Sequence, residues 1–362
     1  MGTKYKYNET RKEWRTMVYD GTLTPAGLPH RVTISSKKSS KDLERKVAEF
    51  KEKLANNSLV LSNVTLGEYA DTWLKVYKAN KEHNTLKSYQ ATVNKLEPLF
   101  EIELANLTRS HFQLVINLNA DKPKTCKNIK QVFTQILTSA YRDGLISSRL
   151  VDNITADISL PKYVKPQKEA LTPLERNAVL TCEPPQKAKI FLLILYYCGL
   201  RKSEALALDR DDIDTEKNVL NVSKTLIFVS NRPVLKPYPK SDNGIRSIPI
   251  AEKLQKELYS YMETCDNTLF PSQYIPYMSD TAYRRMWGHI NKAISSAAEK
   301  EVKITAHKLR HNFCSELCYQ VPKISTKKIA YLLGDNERMV LDVYGHIVEK
   351  NENVIEAINS AF

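Results

Sequence analysis

Ile190-Phe191-Leu192-Leu193-Ile194-Leu195-Tyr196-Tyr197-Cys198-Gly199-Leu200-Arg201-Lys202-Ser203-Glu204 is the run whose reading decides the fold. Its apolar residues follow one another without a polar face, so Lys187 to Cys198 reads as a helix buried on all sides. Ile190 to Cys198 is far too short to cross a bilayer, which takes about 20 apolar residues. Gly199 is placed to stop the helix. Arg201 and Glu204 then fall where a second helix begins. Before the run, Thr172-Pro173-Leu174-Glu175 is a capping box with Pro at the first helical position, opening a helix to Thr181. After it, Val219 to Val229, Val234-Leu235 and Ile245 to Ile250 read as strands. Ser241-Asp242-Asn243-Gly244 marks a turn between strands. From Thr281 onward the pattern is helical. Residues 168–362 therefore read as one α+β domain.

Upstream, residues 58–160 read as a bundle of four helices. Thr65 starts Leu66, Tyr69, Trp73, Leu74 and Tyr77; Thr85 opens Tyr89, Val93 and Leu96. Thr108 caps His111 to Leu118, and Asn128 to Tyr141 ends at Gly144. Residues 161–167, stiff and charged with Pro161 and Pro166, read as a linker. Residues 1–57 form a third unit, a short sheet plus one helix. Trp14 to Tyr19 alternates like a strand, Gly21 to Pro29 is turn-rich, and Arg31 to Ser35 suits another strand. Leu43, Val47, Phe50 and Leu54 recur at helical spacing. The fold expected is multidomain and mainly α.

The 362 residues carry a formal net charge of +13. Excess positive charge is densest in residues 1–57, with 13 Lys/Arg against 7 Asp/Glu. A polyanion such as DNA or RNA is the natural partner, because each neutralised phosphate releases counterions. In the first 57 residues basic side chains are interleaved with Tyr5, Tyr7, Trp14 and Tyr19, which suits a sheet face laid on DNA. The six cysteines are scattered, as reduced thiols are, and not arranged as a disulfide framework. Behind the first charged residues no apolar stretch follows, so neither a secretory signal nor a membrane attachment is expected. Gly2 is followed by Lys6 where myristoylation wants Ser or Thr. A cytoplasmic, DNA-associated bacterial protein is the expectation.

Four short stretches carry chemistry together: Gly199 to Glu204; Pro239-Lys240-Ser241 running on to Ile250, with Lys240 beside a tight turn; His307-Lys308-Leu309-Arg310-His311 opening a helix; and Val343-Tyr344-Gly345-His346. Taken singly each has an ordinary structural reading: Tyr344 is one of 19 tyrosines, and Lys240 in a turn would be solvated surface. In order, as Arg, Lys, His-x-x-Arg and Tyr, they resemble the active site of the tyrosine recombinase (phage integrase) family. The resemblance covers the last domain closely. The helical domain is similar in place and size to that family's core-binding domain. Residues 1–57 look like the arm-binding domain of lambda-type and conjugative-transposon integrases.

The resemblance implies a site-specific recombinase of a mobile element, with Arg201, Lys240, His307, Arg310 and Tyr344 as site residues. Tyr344 attacks a phosphate and keeps the strand end as a phosphotyrosine. Two guanidinium forks can each grip two oxygens of a phosphorane-like state, so no metal and no cofactor are expected. Lys240, on a hairpin, protonates the departing 5′ oxygen. His307 helps with proton movement or oxygen contacts, and Glu204 supports Arg201. The implied partners are double-stranded DNA at core and arm sites, three further copies in a homotetramer acting through a Holliday junction, and accessory DNA-bending or excision proteins. The segment Val354 to Phe362, with Ile355, Ile358 and Phe362 at helical spacing, is expected to dock on a neighbouring copy. Competing readings are a noncatalytic DNA-binding regulator and a type IB topoisomerase; the separate basic N-terminal module favours the recombinase. A metal site of His307, His311, Cys314 and Cys318 is rejected, because four side chains spread over three helical turns cannot surround one ion.

One position departs from the family. Nine residues before the tyrosine, where His or Trp is usual, the chain reads Leu332-Leu333-Gly334-Asp335-Asn336. An ionised carboxylate cannot donate a hydrogen bond to phosphate and repels its charge. Three explanations compete. Asp335 turns away and positions His307 or Lys240; Asn336 or His346 supplies the donor; or the enzyme is slow. Asp335→His is expected to keep or raise DNA cleavage. Abolished cleavage in a folded variant would give Asp335 a positive role.

Overall fold

The computed structural model describes residues 5–23, 29–55, 63–164, 169–237, 244–272 and 275–351. The chain divides into two compact units, Met1–Lys165 and Pro166–Phe362. Lys240, the Ser241-Asp242-Asn243 part of the expected turn and the segment Val354 to Phe362 lie outside the described residues, as does the side chain of His346.

The first unit opens with an antiparallel sheet of β1 (Tyr7–Asn8), β2 (Glu13–Leu23) and β3 (Pro29–Ser36), followed by α1 (Ser40–Ala55). Register separates the two faces. Trp14, Val18, Val32, Ile34 and Ser36 alternate with Arg15, Met17, Tyr19, Arg31 and Thr33. The Ser36 hydroxyl donates to Asp42 of α1, and Leu43 and Val47 are buried, so α1 covers the first set. Met17 and Tyr19 are exposed on the other. The expectation that Tyr5, Tyr7, Trp14 and Tyr19 interleave with basic residues on a sheet face laid on DNA is corrected in one respect: Trp14 and Tyr19 lie on opposite faces. Trp14 pairs with Tyr7, which is itself exposed, their rings 5.2 Å apart, and lies opposite Tyr19 because a strand turns alternate residues to opposite faces.

Five helices follow: α2 (Leu66–Tyr77), α3 (His83–Val93), α4 (Arg109–Leu118), α5 (Pro123–Arg142) and α6 (Ser148–Thr155). Thr65 caps α2 in a capping box with Glu68, and Thr108 caps α4. Around α5 pack Trp73, Leu96, Phe112 and Ile154, with Phe133 against Phe112 at 4.3 Å. Three sequence readings change here. α3 begins at His83 rather than at a Thr85 cap, and Leu96 belongs to a 3-10 segment, Asn94–Leu99, that contains Pro98. Proline has no N–H to continue an α-helix. α5 starts at Pro123, five residues before Asn128, because proline suits a first helical turn. The bundle has a further helix, α6, capped by Ser147, beyond the four expected.

The second unit runs α7 (Pro173–Thr181), α8 (Gln186–Cys198), α9 (Lys202–Ala205), β4 (Ile213–Asp214), β5 (Val219–Val222), β6 (Thr225–Val229), β7 (Arg232–Lys236), β8 (Arg246–Pro249), α10 (Glu252–Glu263), α11 (Asp280–Ala297), α12 (Ala306–Cys318), α13 (Thr326–Leu333) and α14 (Glu337–Asn351). α8 lies at the centre, with Ile190 to Leu195 buried among residues from α7, α10, α11 and α12. One sheet has the order β4-β5-β8, and β6-β7 forms a separate hairpin. Val219 to Val229 is thus two strands, not one. Lys224 sits at the break, turned inward to Asp209 and, at 2.9 Å, to Asp212. The β6-β7 turn uses Ser230 and Asn231, both at positive φ. Asn tolerates that region, so the turn forms without glycine. A second apolar cluster of Cys314, Cys318, Ile329, Leu333, Val340 and Val343 joins α12, α13 and α14. All six cysteines are free and buried. Among the described residues no helix is long and apolar enough to cross a membrane.

Phe133→Ala should destabilise the helical bundle by about 3–5 kcal/mol, the usual cost of removing a buried ring. Urea unfolding of the whole chain followed by circular dichroism should show an earlier helical transition; an unmoved midpoint would mean that this ring pair does not hold the bundle.

Candidate active site

Two helix ends organise the site. α8 stops at Gly199 and α13 at Gly334, each glycine in the left-handed region at φ 61° and 60°. A helix leaves its last carbonyls without partners inside the helix, and they carry the negative end of its dipole. Three arginines take them up. Arg310 on α12 donates to Gly199 O at 2.9 Å and to Leu333 O. Arg201, just before α9, donates to Gly334 O at 3.0 Å. Arg246 on β8 donates from Nε to Leu332 O at 2.8 Å. Gly199 is constrained twice, since a Cβ there would also lie 2.3 Å from the Phe313 ring.

Two carboxylates balance these cations. Glu204 is buried, receives Arg246 at 2.8 Å and Arg201 Nη1 at 2.8 Å, and accepts the Arg201 backbone N–H at 3.0 Å. Burial alone would raise the Glu204 carboxyl, but Arg246 and then Arg201 outweigh it and hold it below its ordinary value. Asp335 places one oxygen, Oδ2, 2.9 Å from Arg201 Nη2 and 3.2 Å from Arg310 Nη2. Burial, and then the neighbouring Arg201, push the Arg310 guanidinium down to about 10, so it stays charged at neutral pH.

The structure thus brings Arg201, Arg310 and Asp335 to one point. Asp335 does not turn away from the arginines: its Oδ2 bridges them, and its Oδ1 accepts the Asn336 N–H at 3.1 Å. The attraction of two guanidinium groups decides this orientation. Asn336 in turn commits its side-chain oxygen to Met339 N–H in the first turn of α14. His307 lies in the first turn of α12, exposed, three residues before Arg310. Tyr344 lies on α14, half-buried against the cluster shared by α12, α13 and α14. The capping box of α7 is tied to α12 by Lys308, which reaches Glu175 at 2.6 and 2.8 Å.

Arg246 was not singled out in the sequence. The available signal was its phase: in Arg246-Ser247-Ile248-Pro249 the arginine alternates inward with Ile248. An arginine on the buried side of a strand demands fixed acceptors.

The Phage integrase family model matches residues 174–351, and the model for the Phage integrase N-terminal SAM-like domain matches residues 65–118. The chain is 23% identical over 343 residues to the prophage integrase IntR of Escherichia coli, covering 82% of this chain and 80% of that one. Its fold is similar to the Tn1549 transposon integrase solved in complex with transposon right-end DNA, with a TM-score of 0.66, 24% identity, and 77% of this chain and 94% of that one covered. It is also similar to the lambda integrase tetramer bound to a Holliday junction, with a TM-score of 0.56, 16% identity, and coverage of 92% and 93%.

In the folded chain Glu204 titrates below its ordinary 4.5. Its contribution to stability is therefore complete above that value and is lost as pH falls through the lowered one. Glu204→Gln should lower the melting temperature at pH 7, with roughly 3–5 kcal/mol the scale for breaking a buried pair. The gap from wild type should close in acid. A gap independent of pH would mean that the charge of Glu204 does not hold Arg246.

Proposed function

The chain belongs to the tyrosine recombinase (phage integrase) family, whose members break and rejoin DNA, and on that premise we propose that it is the integrase of a mobile genetic element, cutting DNA through a covalent bond between Tyr344 and a 3′ phosphate. The observation that carries this reading is the convergence of Arg201 and Arg310, from separate elements, on one anionic oxygen. Both guanidinium groups are held by carbonyls that belong to helix ends. They are preorganised for a phosphoryl group before it arrives, which is how electrostatic stabilisation of a transition state works best.

In the proposed reaction the Tyr344 phenol oxygen bonds to phosphorus and gives up its proton to His307 or to water. The bond from phosphorus to the 5′ oxygen breaks, and the departing oxygen takes a proton from Lys240, a role that rests on the resemblance alone. Charge building on the nonbridging oxygens is met by Arg201 and Arg310. His307, exposed one turn before Arg310, supports proton movement or an oxygen contact. The phosphotyrosine keeps the energy of the broken ester, so a second 5′ hydroxyl can reverse the step on a new partner strand. Paired exchanges of this kind proceed through a Holliday junction in a tetramer, as the arrangement of the lambda integrase suggests.

Binding follows the division of the chain. The helical bundle and the Arg201–Arg310 unit take core DNA. The open face of the β1-β2-β3 sheet presents Arg15, Tyr19 and Arg31 around Met17, chemistry suited to phosphates and base edges of an arm site. The names of the prophage and transposon relatives support a mobile-element setting. The competing reading, a regulator that binds DNA without cutting it, draws on Asp335 lying between the two arginines.

Wild type and Tyr344→Phe should both bind a duplex from the ends of the parent element, nicked just downstream of the cleavage site. A covalent protein–DNA adduct on a denaturing gel is expected from wild type alone. Binding by both without an adduct from either would favour the regulator.

A further inference from the structure

Asp335 stands where the family's hydrogen-bond donor is usual, yet it is the best-placed anion in the site. Its Oδ2 alone is shared between Arg201 Nη2 at 2.9 Å and Arg310 Nη2 at 3.2 Å. One anionic oxygen between two guanidinium forks is the geometry a nonbridging phosphate oxygen would take there. The same two Nη2 atoms also donate to Gly334 O and Leu333 O, so the arginines are fixed from behind and turned toward Asp335 in front.

Exposure locates the open side. The Arg310, Arg246 and Glu204 side chains are 5% exposed or less, whereas Arg201 and Asp335 are 38% and 31% exposed. Charge makes the same point. Arg201, Arg246 and Arg310 face Glu204 and Asp335, so Asp335 supplies the second of two countercharges. A phosphodiester arriving at both arginines brings that charge itself, and two anions cannot share one oxygen's place without repulsion. The side chain of Asp335 is short, and its backbone N–H is tied to Ala330 O behind the α13 stop. A single rotation about its Cα–Cβ bond takes the carboxylate off the arginines while leaving the helix end intact.

We propose that Asp335 is an internal stand-in for the scissile phosphate, holding Arg201 and Arg310 in their gripping geometry until DNA displaces it. This rests on the phosphotyrosyl reading for its meaning but not for its test. Asp335 acts here as a positioning residue. It keeps a cationic site ordered and partly neutralised without DNA, and it sets a threshold that only a phosphate pressed home by the rest of the interface crosses. Free anions and casual DNA contacts are excluded by the same competition.

Sulfate, a tetrahedral dianion, is the probe, and thermal unfolding of the whole chain without DNA is the readout. Asp335→Asn should melt lower than wild type in chloride and recover in sulfate with a saturable dependence, as stabilisation by a bound ligand does. The sulfate concentration for half the effect should be about tenfold lower than in wild type, the low end of what a neighbouring charge does to a site's affinity for an ion. Arg201→Ala added to Asp335→Asn should leave only the unsaturating rise that sulfate gives any protein. Equal half-effect concentrations in wild type and Asp335→Asn would overturn the proposal. Asp335→Ser is the second variant. Should both fold only in sulfate, the proposal holds; should both fail in chloride and sulfate alike, Asp335 is structural and the proposal falls. A missing Tyr344 adduct would overturn the phosphotyrosyl reading and leave this result standing. An unchanged sulfate response beside a normal adduct would do the reverse.

Discussion

The grip of helix-end carbonyls on arginine side chains is the constraint on which the second unit depends. α8 and α13 end on left-handed glycines, and the carbonyls freed there face Arg201, Arg246 and Arg310. A guanidinium group offers five donors in a plane, so each arginine can satisfy a carbonyl and a carboxylate at once. Without the arginines the helix ends would be buried with unpaired acceptors. Without the helix ends Arg246 and Arg310 would be buried charges left mainly to the carboxylates of Glu204 and Asp335 as partners. Each reduces the other's cost, and with Glu204 and Asp335 nearby Arg310 stays charged although nearly enclosed.

Several features of the surrounding chain follow. Gly199 must be glycine both for its φ and for the Phe313 ring that lies against it. β8 must deliver Arg246 inward, which its pairing with β5 does. Glu204 must be ionised beneath the cluster, and two arginines keep it so. The cluster shared by α12, α13 and α14 packs Leu333, Val340 and Val343 in one apolar group, and Tyr344 lies against it. Chemistry at the surface of the unit is set by packing just below it.

The first unit shows a different economy of design. Its sheet has one face closed by α1 and one open, and alternation alone assigns side chains to each. Arg15 and Arg31 reach the open face together with Tyr19, while Trp14 is spent on packing with Tyr7. The bundle that follows is held by ordinary helical periodicity around α5, with aromatic contacts at Trp73–Tyr89 and Phe112–Phe133.

What the sequence by itself determined was local. Capping residues Thr65, Thr108 and Thr172, the Gly199 stop and the apolar continuity of Ile190 to Cys198 act over a few residues, so they are readable in order. The motif order from Arg201 to Tyr344 was legible for the same reason, as short signatures along one chain. The break at Lys224 and the turn at Ser230-Asn231 were not, because partners distant in sequence fix them: Asp209 and Asp212 draw Lys224 inward, and Thr281 binds Asn231. Nor could the sequence place Arg246 beneath the site, or show that Asp335 faces Arg201 and Arg310. Those facts depend on four elements meeting, with separations of 42 to 134 residues between the bonded groups of Glu204 and Arg246 and of Arg201 and Asp335. Charge compensation in a closed space chooses orientations that no single stretch encodes, and only the tertiary structure creates that space.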